Sequence, residues 1–124
     1  MIPKKVLRLV LARDLEQCVI DAPGCLIEAS TAHHRANRGM GGSKTLDSPV
    51  NLVACCGPCN GRVEDSHGAE RQRYLDDGLR VLSAGTSQAT LRAAQLTPVR
   101  YPDGRSFWLT ADGRRVEVSG PPPF

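Results

Sequence analysis

Two cysteine pairs bracket the middle of this chain, Cys18 with Cys25 and Cys56 with Cys59. Between them lie a His33-His34 dipeptide, a basic glycine-rich stretch and an asparagine-led apolar run, VNLVAC. Cys56 and Cys59 have the two-residue separation of a zinc knuckle. Six residues separate Cys18 from Cys25, more than a tight knuckle has. Yet Asp21-Ala22-Pro23-Gly24 is turn chemistry that can carry both thiolates to one ion. Four thiolates make a closed tetrahedral zinc site with no open position, so its role is structural. Cys55 is left over. Cys56 has the better spacing to Cys59, which assigns Cys55 to the core as a small buried hydrophobe. A site that uses Cys55 in place of Cys56 stays open.

The 124 residues suit one compact domain. Aromatic residues are only 4% of the chain and charged residues 23%, which leaves a lean core that a metal staple would offset. A net charge of +3 excludes a bulk polycation, so a nucleic-acid partner must meet a local basic patch. No run of about eighteen apolar residues exists, and no membrane span is expected. The start, MIPKKVLRLVLARD, opens like a secretory leader, but Arg8 interrupts it and no small-residue cleavage site follows. The chain therefore reads as cytoplasmic, where cysteines stay reduced and metal ligation explains them better than disulfides.

Val6, Leu7, Val10, Leu11 and Leu15 repeat at three and four, which predicts a helix over 3–15 with one apolar stripe. Residues 27–34 predict a strand, 35–49 an irregular basic loop, 50–55 a partner strand, and 58–66 a helix with Pro58 in its first turn. A further helix is expected over 69–77, capped by Gly78. Residues 83–96 read as a linker. From 97 to 124, turn signals at Pro102-Asp103-Gly104 and Asp112-Gly113 predict a small β-meander with a disordered, proline-rich end. The chain thus divides into 1–82, 83–96 and 97–124, and its class is α+β.

His33 and His34 on a strand point to opposite faces, and can share a site only if the chain turns there. Asn51 opens the second strand and Asn60 lies in the first turn of the following helix. Singly these residues are ordinary. Taken in order within the cysteine frame, Cys18 and Cys25, then HHRANRGMGGS, then NLVACCGPCNGRVE, the chain resembles the HNH endonucleases over roughly residues 13–82. The resemblance is to the small zinc-stapled members of bacteriophages and prophages.

That resemblance implies a ββα-metal core and a nuclease that hydrolyses DNA phosphodiester bonds. It assigns His34 as the general base and His33 as a ligand of the catalytic ion. Asn51 becomes the residue that orients the loop and base. Asn60 stands where the family's last histidine usually sits, an H-N-N variant. Its amide oxygen shifts the expected catalytic ion toward Mg2+ or Mn2+, beside structural Zn2+. A loop carbonyl would orient His34. Arg35, Arg38, Lys44 and Arg62 would hold DNA phosphates in a sequence-independent way. His67 is a spare ligand beyond Asn60. Phage origin would place the protein in the host cytoplasm, working beside the terminase or other packaging proteins. Two rivals remain: a zinc-stapled DNA-binding module with weak or no catalysis, and a scaffold within a larger assembly.

Overall fold

The computed structural model describes residues 1–39 and 44–124. The expected Met40-Gly41-Gly42-Ser43 part of the glycine loop lies outside the described residues. The fold is α+β, with four described helices and two small antiparallel sheets.

Helix α1, Lys4–Arg13, lays its apolar stripe on one face of a two-stranded sheet. That sheet pairs β1, Thr31–His34, with β2, Leu52–Cys55, in the register His33 opposite Val53 and His34 opposite Leu52. The alternation of β2 divides its side chains: Leu52 and Ala54 face α1, while Val53 and Cys55 enter the larger core behind. All four β2 residues are buried, which is why this run carries no polar position. Helix α1 stops earlier than its stripe predicts. Leu15 and Glu16 adopt φ of 58° and 57°, and Leu15 is exposed instead of joining the core. The strand predicted over 27–34 begins only at Thr31, because Ile27 takes φ 70° where the chain folds back past the first cysteines.

After β2 come α2, Gly57–Glu64, and α3, Gly68–Asp76, both near their expected bounds. Gly78 closes α3 with φ +72°; a Cβ there would lie 2.0 Å from the Pro98 carbonyl oxygen, so only glycine fits. The stretch read as a linker instead holds α4, Ser87–Gln95. Thr86 caps it by accepting from the Ala89 N–H, and Leu91, Ala93 and Ala94 pack with Ala36, Val50 and Val81. The C-terminal meander is present as β3, Val99–Arg100, β4, Ser106–Leu109, and β5, Arg115–Glu117. Its Val99, Tyr101, Phe107 and Leu109 enter the same core as Cys18, Val19 and Val53. The end expected to be disordered lays Phe124 edge-on to Trp108.

Two buried cations fasten these parts. The Arg13 guanidinium donates to Asp14 and to the carbonyls of Pro49 and Leu52. Asp14 in turn accepts from the Ala54 N–H at 2.9 Å and the Tyr101 hydroxyl at 2.5 Å, joining α1, β2 and the C-terminal sheet. Arg35 is the second. It is fully buried and donates to the carbonyls of Gly78, Val50, Ala94 and Thr97. This corrects the expectation that Arg35 meets DNA phosphates. Its donors are spent on the ends of α3 and α4, where helix dipoles favour a cation. Burial, and further off the Arg13 cation, pull its pKa down to about 9, still above neutrality.

Candidate functional site

The four expected cysteines do come together. Cys18, Cys25, Cys56 and Cys59 place their Sγ atoms within 4.8 Å of one another. Four sulfurs about 2.3 Å from one zinc ion lie ~3.8 Å apart, so the cluster fits a structural ion such as zinc. Cys55, fully buried, lies outside the cluster and packs in the core. The local chemistry explains the convergence. Gly24, at φ +85°, turns Cys25 back toward Cys18. Cys56 precedes α2 and Cys59 sits in its first turn, with Pro58 between them. The Ile27 N–H points at Cys25 Sγ at 3.3 Å and the Leu26 N–H at Cys56 Sγ at 3.4 Å. Burial pushes the Cys56 thiol up, but the Leu26 and Cys59 N–H groups and the Cys59 and Cys18 thiols outweigh it and bring it down to about 7. Burial raises Cys55 and Cys59, whose thiols see less water.

His33 and Asn60 also meet. His33 projects from β1 away from α1 and is completely buried. Its Nδ1 lies 3.1 Å from Asn60 Oδ1 on α2, and its Nε2 lies 3.0 Å from the Leu79 carbonyl. A carbonyl only accepts, so the ring proton sits on Nε2 and Nδ1 carries a lone pair. Burial lowers the His33 pKa to about 4, which keeps the ring neutral at pH 7.

His34 goes the other way. It is the last residue of β1, and the chain bends at Arg35-Ala36 as the sequence suggested. Its register puts it on the α1 face, where Nε2 donates to Asp47 Oδ1 at 2.7 Å. Arg38 binds the same carboxylate at 3.2 Å. The group that holds His34 is therefore a carboxylate and not the expected loop carbonyl. Asp47 was missed because it sits 13 residues away with no spacing signal. No hydrogen bond among the described residues links His34 to the His33–Asn60 pair.

Asn51 is fully buried and clamps the loop. Its Oδ1 accepts from the Ala36 N–H at 2.8 Å, and its Nδ2 donates to the carbonyls of Ala36 and Leu46 at 3.0 and 3.1 Å. Arg38 and Lys44 border a recess with Asp47, Met1, Pro3 and Val6. Arg62 is exposed on α2 and pairs with Glu70 at 2.6 Å. His67 precedes α3 and, among the described residues, hydrogen-bonds the Asp65 carbonyl and not the Asn60 cluster. Among the described residues no helix is long and apolar enough to cross a membrane. Compared with known protein families, curated proteins and solved structures, the chain gives no match.

Proposed function

We propose that this chain is a divalent-metal-dependent DNA endonuclease of the HNH type, fastened by zinc at its four cysteines. The observation that carries the reading is the meeting of His33 and Asn60, 27 positions apart, where the strand pair joins α2. These are the two positions that the HNH resemblance gives to the catalytic ion. An imidazole nitrogen with an amide oxygen suits Mg2+ or Mn2+, the latter tolerating the nitrogen better. Such an ion, when bound, supplies charge stabilisation at the scissile phosphate and the leaving oxygen.

The chain's own residues supply the remaining chemistry. The Nε2 proton of His34 is held by Asp47, which leaves Nδ1 as the lone pair that takes a proton from water. Asn51 fixes the backbone just past His34 through Ala36. Arg38, Lys44 and Arg62 remain for DNA phosphates, and Arg35 leaves that set.

A second reading is a zinc-stapled DNA-binding or scaffold module without catalysis. It is favoured by the position of His34, which meets Asp47 on the α1 side while His33 meets Asn60 on the other. Conversion of supercoiled plasmid separates the two. Zinc-loaded wild type and His34→Ala are incubated with Mg2+, Mn2+ or EDTA. Nicking that needs the added ion and vanishes in His34→Ala is expected. Inert wild type that still holds one zinc, and binds DNA in a salt-dependent way, would leave the binding module standing.

A further inference from the structure

Helix α2 carries a third group that faces His33. Glu64 lies four residues after Asn60, one turn along, and therefore on the same face of the helix. Its Oε1 is 3.6 Å from His33 Nδ1, the nitrogen that already lies 3.1 Å from Asn60 Oδ1. The ring proton is on Nε2, committed to the Leu79 carbonyl. A lone pair, an amide oxygen and a carboxylate thus converge with no proton among them. Turning the Asn60 amide over would give Nδ1 a donor, yet would leave the carboxylate facing a nitrogen with nothing to offer it. The remaining neighbour is Arg80, whose NH1 lies 3.3 Å from Oε1. It steadies the carboxylate and leaves Oε2 uncommitted.

The outer contact has the form a metal site needs. A histidine ligand is normally held by a carbonyl or carboxylate on its far nitrogen, which fixes the tautomer and aims the lone pair. Leu79 does this for a ring that is wholly buried. We infer that Glu64 is a third protein ligand, completing with His33 and Asn60 a site for a divalent cation of the Mg2+ and Mn2+ class. The inference rests on the nuclease reading and deepens it. It adds a negative charge and a second oxygen to a ligand set that otherwise holds one imidazole and one neutral amide.

The test is titration of Mn2+ into the full zinc-loaded chain, followed by calorimetry and by the electron-spin signal of free Mn2+. Wild type, Glu64→Gln and Glu64→Asp are compared, with zinc content and melting temperature checked for each. The Glu64 side chain is 41% exposed, so Glu64→Gln is expected to fold and to keep its zinc. Wild type should bind one Mn2+ beyond the zinc. Glu64→Gln should bind it at least tenfold more weakly, and Glu64→Asp should fall between. Plasmid nicking is read on the same samples, where Glu64→Gln should recover as Mn2+ is raised. If Glu64→Gln binds Mn2+ as wild type does and wild type nicks, the Glu64 inference is overturned and the nuclease reading stands. If wild type neither binds Mn2+ nor nicks DNA, both fall.

Discussion

Arg35 reads in the sequence as a DNA contact and sits in the structure as a fastener, and one substitution separates the two roles. Its guanidinium donates to Gly78 O at 2.6 Å, Val50 O at 2.8 Å, Ala94 O at 3.0 Å and Thr97 O at 2.6 Å. These acceptors belong to the turn after α3, the short helical turn before β2 and the end of α4. A hydrogen bond to a charged group contributes about 1.5–3 kcal/mol, and removing the donor leaves its buried acceptor unsatisfied. Lysine keeps the charge but concentrates its donors at one point, so it cannot span a planar fork of four acceptors. About two of the four bonds are lost in Arg35→Lys, a cost of ~3–5 kcal/mol. Arg35→Ala loses all four and opens a cavity. That approaches the whole stability of an ordinary domain, about 5–15 kcal/mol, so it should fail to fold.

The assay is urea unfolding of the zinc-loaded protein, with DNA binding measured over a range of salt. With an m-value of about 1.5 kcal/mol/M, Arg35→Lys should lower the midpoint by ~2–3 M at unchanged slope. A true phosphate contact would behave in the opposite way. The midpoint would hold, and loss of the contact in a neutral variant would cut the salt slope by about 1. An Arg35→Lys protein within about 0.5 kcal/mol of wild type would refute the reasoning.

Two further perturbations follow from the buried thiols and imidazole. Cys55→Ala should keep one zinc per chain and cost about 1 kcal/mol, whereas Cys56→Ser should lose the ion and, like chelation of wild type, most of the tertiary near-ultraviolet dichroism; equal zinc content in both variants would overturn the ligand assignment. His33 has its pKa lowered from 6.5 to about 4 by burial, so as pH falls the unfolded chain takes up a proton before the native one does. Stability is then unaffected above pH ~6.5 and drains between there and about 4, by roughly 3 kcal/mol. Acid also protonates the thiolates, so the measurement is the difference between wild type and His33→Gln at saturating zinc; parallel stability curves would exclude the effect.

What the sequence made legible was local. The α1 stripe, the paired strands, the turn signals of the meander and the proline-led α2 all depend on neighbours a few positions apart. The CxxC of Cys56 and Cys59 is equally local, and turn chemistry around Pro23-Gly24 was enough to add Cys18 and Cys25. What stayed hidden was distant. Arg35 finds acceptors 43, 59 and 62 positions away, and no window of sequence distinguishes such a residue from a surface cation. Helix α4 was obscured by a composition rich in Ser, Thr and Gly. Thr86 as a cap, with Leu91 and Ala94 spaced to face one side, was the signal available. Asp47 had no such signal, while Glu64 was marked only by its four-residue step from Asn60.

The cysteine cluster and Arg35 act on opposite sides of His33, and that arrangement ties stability to the site. Cys56 and Cys59 bracket the first turn of α2, so an ion in the cluster fixes where Asn60 stands, and through the helix where Glu64 stands. On the other side, the carbonyl that sets the His33 tautomer belongs to Leu79, next to Gly78, whose own carbonyl is held by Arg35. Gly78 itself admits no side chain, because a Cβ there would meet the Pro98 carbonyl oxygen. Arg35 follows His34 directly in the chain, so the cation that anchors the end of α3 also anchors the end of β1. Residues outside the His33, Asn60 and Glu64 cluster therefore align it. The Arg35 cation, which sequence alone reads as a surface charge, is spent here on holding a buried lone pair in place.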